Sequence, residues 1–336
     1  MTASPTLPRL LVLSLGGTIT MTGAGAGGIA PTLGAADLVA ALPALADVAR
    51  IEARSPFKVG SSSLTVPNIL AVAAEIEAAF AGGIDGAVII QGTDTIEETA
   101  FLLDILSRSP KPVVVVGAMR GPQQAGADGP ANLLAAAQVA ASPAARGLGT
   151  LVVLNDEIHA ARFVRKAHTS LTSAFASDNG GPLGLVAEWR VRLLTRVAPL
   201  DLPPLDLATL RACEMPAVAL FKIGMGDDGR MIAAAPGLGY AGLVIEGAGA
   251  GHVPGPVAEI VGEVAARLPV LLASRTLAGP AFERTYGYPG SEIDLIGRGA
   301  LSGGFLPGPK ARLLLMLGIA ADWDRATLER ALAAFQ

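Results

Sequence analysis

Thiols, imidazoles, ammonium groups and aromatic rings are all scarce in this chain, and each scarcity closes off a class of protein. One cysteine in 336 residues, Cys213, cannot build a disulfide framework. Three histidines, His159, His168 and His252, leave too few ligands for a Cys/His zinc cluster. Charged residues make up only 16% of the chain and the formal net charge is −4, the wrong sign for a protein whose main task is to grip a phosphate backbone. Glycine, proline or a charge interrupts every apolar run at strand length, so none reaches the ~20 residues a membrane-spanning helix needs. The lysines number five, at positions 58, 111, 166, 222 and 310, so each one is a conspicuous basic group.

Small apolar residues fill the space instead. Half the chain is hydrophobic and 41 residues are glycine, a composition that packs a core rather than staying disordered. The length exceeds the ~250–300 residues at which a single core stops growing, so two domains are expected. The start, MTASPTLPRLLVLSLGG, carries one arginine and runs straight into a Gly-Gly-Thr element. A signal peptide would consume that element, and the expectation is an unprocessed, cytoplasmic chain.

The first half alternates apolar runs rich in Val, Ile and Leu with helical patterns. Strands are expected at Arg9 to Leu15, Arg50 to Val59, Gly86 to Gln91, Pro112 to Gly117 and Leu148 to Leu154. Helices are expected at Ala35 to Leu42, Val66 to Ala81, Thr95 to Leu106 and Pro130 to Ala141. Continuous apolar strands separated by helices imply a parallel sheet covered on both faces, the doubly wound Rossmann-like α/β class. Proline density from Val197 to Leu205 breaks the pattern. The expected organisation is an N-terminal domain at 1–197, a linker at 198–214 and a smaller C-terminal α/β domain at 215–336. In the latter, strands are expected at Ala217 to Phe221, Gly242 to Ile245 and Pro269 to Ala273, and helices at Pro256 to Arg267, Pro309 to Ala320 and Arg325 to Phe335.

Two threonine segments stand at expected strand ends: Leu13-Ser14-Leu15-Gly16-Gly17-Thr18-Ile19 and Gln91-Gly92-Thr93-Asp94-Thr95-Ile96-Glu97-Glu98-Thr99-Ala100. In an open α/β sheet that edge is where ligands bind. A threonine hydroxyl is a weak nucleophile at neutral pH and needs a base. Histidine, the usual base, lies outside both segments, and a lysine whose ammonium is disfavoured by burial does the same work. Lys166 lies in a strand-like stretch late in the first domain. Asp94 and Glu97 also have the spacing of a capping box at the start of the following helix. The glycine-rich stretch Thr22 to Gly28, next to Thr18, is expected to be a mobile lid.

These segments, with Val-Gly-Ala-Met-Arg at 116–120, Ala-Asp-Gly-Pro-Ala-Asn-Leu at 127–133 and Lys-Ala-Arg at 310–312, resemble the bacterial-type L-asparaginase family over nearly the whole chain. The resemblance implies hydrolysis of the side-chain amide of asparagine without metal or organic cofactor, in a homodimer or homotetramer. It makes Thr18 the primary nucleophile and Thr93, Asp94 and Lys166 a second triad. It places Gly60, Ser61, Ser62 and Gly92 around the substrate, with the two serines at its α-carboxylate. By the same resemblance the Ala118 carbonyl orients the amide, the Thr93 N–H is a candidate oxyanion donor, and Glu292 lies near the substrate amine.

Three departures from the family pattern are visible: serine at 62 where many relatives carry glutamine, alanine at 250 where many carry asparagine, and no tyrosine between Thr22 and Leu33. Tyr286 or Tyr288, from the second domain of a neighbouring subunit, is the expected replacement for that lid phenol. Other readings stay open. Gly247-Ala248-Gly249-Ala250-Gly251 after a strand hints at a dinucleotide-dependent oxidoreductase, although His252-Val253-Pro254 breaks the spacing. A noncatalytic amino-acid sensor and the amidase subunit of a transamidase are the others.

Overall fold

A computed structural model describes residues 7–22, 30–31 and 33–336. Residues 23–28, most of the stretch expected to form a lid, lie outside the described residues. The chain divides into two compact units, Met1–Pro199 and Leu200–Gln336.

The first unit contains, in chain order, β1 (Arg9–Ser14), β2 (Met21–Thr22), β3 (Ala30–Pro31), β4 (Arg50–Arg54), β5 (Gly86–Ile90), β6 (Val113–Val116), β7 (Thr150–Leu154), β8 (Glu157–Ala160), β9 (Arg165–Lys166), β10 (Phe175–Ala176), β11 (Gly184–Ala187) and β12 (Arg190–Leu193). Its helices are α1 (Ala35–Ala40), α2 (Val66–Ala81), α3 (Ile96–Leu106) and α4 (Gly129–Ala141). Eight strands form one sheet in the order β12-β11-β8-β7-β6-β5-β1-β4. From β7 to β4 all pairs are parallel. The runs Gly-Ala-Val-Ile-Ile, Val-Val-Val-Val and Thr-Leu-Val-Val-Leu are wholly buried, as strands covered on both faces must be.

The sheet is not purely parallel, which corrects the expectation. Strands β8, β11 and β12 extend it with antiparallel pairs. Two tight turns make this possible: Asn155 and Asp156 take φ of 52° and 61°, and Glu188 and Trp189 take 52° and 62°. Both pairs have the left-handed backbone that matches hairpin twist. Asn-Asp has the chemistry for it; Glu-Trp does not advertise it. The outer strand β12 alternates exposed arginines with half-buried Val191 and Leu193, a pattern that blunts an edge.

In the second unit, β13 (Val218–Lys222), β14 (Gly242–Gly247), β15 (Val270–Ser274) and β16 (Leu301–Ser302) form a four-stranded parallel sheet in that order. Its helices are α5 (Leu207–Ala212), α6 (Arg230–Ala234), α7 (Val257–Ala265), α8 (Glu292–Gly297), α9 (Gly308–Ala320) and α10 (Arg325–Ala333). Within the 198–214 segment the proline-rich part carries no helix or strand, but α5 forms after it, with Asp206 accepting the Thr209 N–H at 2.8 Å. In the Lys-Ala-Arg segment, Arg312 Nε donates to the Val218 carbonyl at 2.8 Å and ties α9 to β13. The glycine run after β14 closes on itself: Ala248 bridges to His252, and a Cβ on Gly247 would lie 2.2 Å from the Gly251 carbonyl carbon. No helix opens there to receive a pyrophosphate; α7 starts only at Val257. Among the described residues, no helix is long and apolar enough to cross a membrane.

The site is positioned by strand order. Strand β1 runs between β4 on one side and β5 on the other, so the winding direction reverses between β1 and β5. A crevice opens outside the carboxyl ends of strands at such a reversal. Thr18 follows β1 and Thr93 follows β5. The two connections are in van der Waals contact through glycines. Gly16 and Gly17 have φ of 111° and 92°. A Cβ on Gly17 would lie 2.0 Å from the Gly92 nitrogen, one on Gly16 2.4 Å from the Val59 carbonyl oxygen, and one on Gly92 2.8 Å from Ser61 Oγ. Gly17→Ala therefore suffers both a disfavoured backbone and a collision with backbone that cannot step aside. It is expected to cost at least about 2 kcal/mol in urea denaturation, whereas Gly60→Ala, with nothing within 4 Å of the added methyl, should be near neutral. An unchanged Gly17→Ala midpoint would refute the packing argument.

His159 on β8 is 1% exposed. Its Nδ1 is 3.0 Å from Ser177 Oγ and its Nε2 is 3.6 Å from Glu157 Oε2. Burial pushes the imidazole from 6.5 down to about 4. A folded pKa below the unfolded one means that the unfolded chain binds the proton first, so this contribution is intact above pH ~6.5 and is lost as pH falls toward ~4, on the order of 3 kcal/mol in all. His159→Gln should flatten the stability slope between those limits, and an unchanged slope would sink this account.

Candidate active site

Lys166 is the hub of the side chains gathered at this edge. Its Nζ donates to Thr93 Oγ1 at 2.9 Å and to Asp94 Oδ1 at 2.7 Å. The lysine side chain is 17% exposed and the aspartate 65%, so the pair lies at the mouth of the site, with buried Thr93 on its inner side. Lys166 is delivered by a short ribbon in which it pairs with Phe175, and its own N–H donates to Glu97 Oε2 at 3.3 Å. That bond corrects the capping-box expectation. Thr93–Thr95 form a 3-10 turn, α3 begins at Ile96 with Thr95 rather than Asp94 at its N-cap, and Glu97 holds the lysine ribbon.

Ser61, 3% exposed, fastens the β4 connection to this turn. Its Oγ accepts the Asp94 N–H at 3.2 Å, and its carbonyl accepts the Thr95 hydroxyl at 3.0 Å. Ser62 is exposed and Gly60 half-buried. Gln91 is fully buried, its Nε2 donating weakly to the Gly92 carbonyl and to Thr95 Oγ1. Thr18 is half-buried and opens a 3-10 turn, Thr18–Thr20, which Thr20 anchors by donating its N–H and hydroxyl to the Gly17 carbonyl at 2.9 and 2.7 Å.

The fourth wall follows β6. A Cβ on Gly117 would lie 2.7 Å from the Gln91 carbonyl oxygen and 3.1 Å from Thr93 Cγ2, so the Gly117-Ala118 backbone abuts the Thr93 side chain. Asp128 accepts the N–H groups of Met119 and Arg120, both at 2.9 Å, and Asn132 Nδ2 donates to the Gly117 carbonyl and to Asp128, both at 3.0 Å. Sequence reasoning assigned neither residue a role. Both stand in the Ala-Asp-Gly-Pro-Ala-Asn-Leu motif, whose signal was there without a spatial partner.

Glu292 and the tyrosines belong to the second unit. Glu292 is fully buried and its carboxylate is occupied: Oε1 accepts the N–H groups of Thr285 at 2.8 Å and Tyr286 at 2.6 Å, and Oε2 is 2.9 Å from His252 Nε2. Burial pushes its carboxyl up, but the N–H groups of Tyr286, Glu292 and Thr285, with the His252 bond, together hold it below the ordinary range. Three donors thus hold the Glu292 carboxylate in place, two on Oε1 and one on Oε2. Tyr288 Oη is 2.7 Å from His252 Nδ1, and the Tyr286 ring stacks on Phe282.

Known proteins share this arrangement of domains. Residues 9–198 match the family described as "Asparaginase, N-terminal", and residues 217–332 match "Glutaminase/Asparaginase C-terminal domain". The chain is 37% identical over 330 residues to a probable L-asparaginase of Deinococcus radiodurans, covering 96% of this chain and 97% of that one. It is 32% identical over 333 residues to the glutaminase-asparaginase of Pseudomonas fluorescens biotype A, covering 96% and 90%. The crystal structure of a probable cytoplasmic L-asparaginase from Campylobacter jejuni superposes with a TM-score of 0.86 at 32% identity, over 97% of this chain and 99% of that one. With both halves matched in order and relatives above 30% identity over nearly full length, this chain belongs to the asparaginase family of amidohydrolases.

Proposed function

We propose that the protein hydrolyses the side-chain amide of L-asparagine to L-aspartate and ammonia, with a side activity on glutamine. The observation that carries this reading is the Lys166 Nζ held between Thr93 Oγ1 and Asp94 Oδ1, three residues drawn together across more than 70 positions of sequence. Amide hydrolysis needs a nucleophile, a proton path and a donor where the carbonyl oxygen gains charge. In this reading Thr18 Oγ1 attacks the amide carbon, the C–N bond breaks, and the nitrogen leaves as ammonia after taking a proton. Water then splits the ester, returning the hydroxyl to Thr18. Lys166 accepts a proton through Thr93, and Asp94 holds the lysine in place. The Thr93 N–H serves the oxyanion, the Ala118 carbonyl orients the amide, and Gly60, Ser61, Ser62 and Gly92 surround the substrate.

By analogy with the family Glu292 lies near the substrate amine; three donors hold its carboxylate, and Oε2, with one of them, keeps a lone pair to accept another. The route uses no metal or organic cofactor. The reading extends to a cytoplasmic assembly of two or four copies, by analogy with the family. Preference for asparagine over glutamine rests on pocket depth, since one methylene is worth only about 1–3 kcal/mol.

Steady-state ammonia release tests this directly. Thr18→Ala, Thr93→Ala and Lys166→Met should each lower kcat on asparagine by about 10²–10⁴-fold. The Thr93→Ala/Lys166→Met double variant should be little worse than either single one, because residues on one proton path do not contribute additively. Full activity in either threonine variant would overturn the assignment.

A further inference from the structure

The Asp128–Asn132 pair holds the loop that walls Thr93 and joins it to the turn between β7 and β8. Asn132 is 2% exposed, and three hydrogen bonds fix its amide orientation. Its Nδ2 faces the Gly117 carbonyl and Asp128 Oδ2, both acceptors, while its Oδ1 accepts the Asn155 N–H at 2.9 Å. Asp128 sits at the N-cap of α4 but makes no cap bond there. Its two oxygens turn outward to the N–H groups of Met119 and Arg120. The dipole of α4 favours a carboxylate at that end. A thirteen-residue helix and the turn between β7 and β8 are thus both coupled to four residues of backbone, 117–120.

We propose that Asp128 and Asn132 are specificity-determining positioning residues, which set how deep the amide pocket is by fixing the Gly117–Arg120 backbone against Thr93. The proposal rests on the amide-hydrolase reading above and deepens it. A shift of a few tenths of an ångström in this wall moves the Ala118 carbonyl relative to Thr93. Asparagine and glutamine differ by one methylene, so in this proposal the placement of the wall decides which amide carbon reaches the nucleophile.

The chemistry dictates the variants. In Asp128→Asn one oxygen becomes an NH2 group, which cannot accept the Met119 or Arg120 N–H and leaves at least one of these donors unpaired. Asn132→Leu keeps the branched shape of the side chain but removes the bonds to Gly117, Asp128 and Asn155. Neither residue is placed at the substrate in the proposed mechanism, so both act through the loop.

Ammonia release is measured on asparagine and on glutamine for the wild type and both variants, with urea midpoints recorded alongside. The expected result is that the asparagine-to-glutamine ratio of kcat/KM falls about tenfold, within the range one methylene supplies, while kcat on asparagine drops more than KM changes. A uniform loss on both substrates that tracks the urea midpoint would mean a purely structural role and would overturn the proposal. If neither variant folds, amide hydrogen exchange on the wild type decides. Met119 and Arg120 amides protected to the level of the β5 and β6 strands support the clamp, and exchange at free-peptide rates refutes it. Failure of the functional reading is distinguishable, because there the wild type itself releases no ammonia from either substrate.

Discussion

Gly17 and Gly92 meet backbone to backbone at the carboxyl edge of the larger sheet, where a side chain on Gly17 would lie 2.0 Å from the Gly92 nitrogen. The rest of the site depends on that contact. Two adjacent parallel strands are about 4.8 Å apart, and their connections ordinarily diverge as they leave the sheet. Here the absence of two Cβ atoms lets the connections stay together for two more residues, and each then delivers a threonine. The same economy brings in the third connection, since Gly16 packs on Val59 and Gly92 on Ser61. Strand order supplies the location, because the winding reverses between β1 and β5, and glycine supplies the proximity.

Into that junction the chain sends a lysine from a distant ribbon. As a stability device the Lys166–Asp94 pair is poorly placed: Asp94 is mostly exposed, and such pairs contribute about 0–1 kcal/mol against the entropy of ordering two side chains. Three separate bonds nonetheless hold the lysine in one orientation: its Nζ to Thr93 and to Asp94, and its N–H to Glu97. That much order spent on a marginal ion pair makes sense when the position of the Nζ atom, rather than its energy, is what matters. The 3-10 turn at Thr93–Thr95 belongs to the same logic. It points Thr93 Oγ1 and Asp94 Oδ1 toward one nitrogen.

How much of this was legible in the sequence follows from the range of each interaction. Helix α2 was readable to the residue because its signals are local: Thr65 and Asn68 cap each other and Pro67 opens the first turn. The buried runs of β5, β6 and β7 needed only their own composition. The antiparallel extension was not readable, because β8 and β11 are four residues long and depend on turns whose left-handed residues include Glu188 and Trp189. Glu97 looked like a local cap and turned out to bind a backbone 69 residues away. Asp128 and Asn132 were visible as a motif, but their targets at 117–120 lie on another element. Thr18, Thr93, Asp94 and Lys166 came from resemblance as much as from chemistry, since spacing along the chain does not state that a lysine and a threonine meet.

The second unit shows the same principle at Glu292. The family resemblance puts Glu292 near the substrate amine, and donors must also hold a fully buried carboxylate where it sits. Two N–H groups and an imidazole do so, and the net effect keeps it ionised. An ionised Glu292 can only accept, so His252 Nε2 must carry a proton, and in the neutral imidazole Nδ1 is then left to accept from the Tyr288 hydroxyl. The carboxylate thereby fixes a tautomer and a phenol orientation. Its chemistry reaches Tyr288, which is half exposed, through the ring between them. A buried acid of this kind is read first through the proton it commits, since three of its acceptor sites are already taken by neighbours in its own unit.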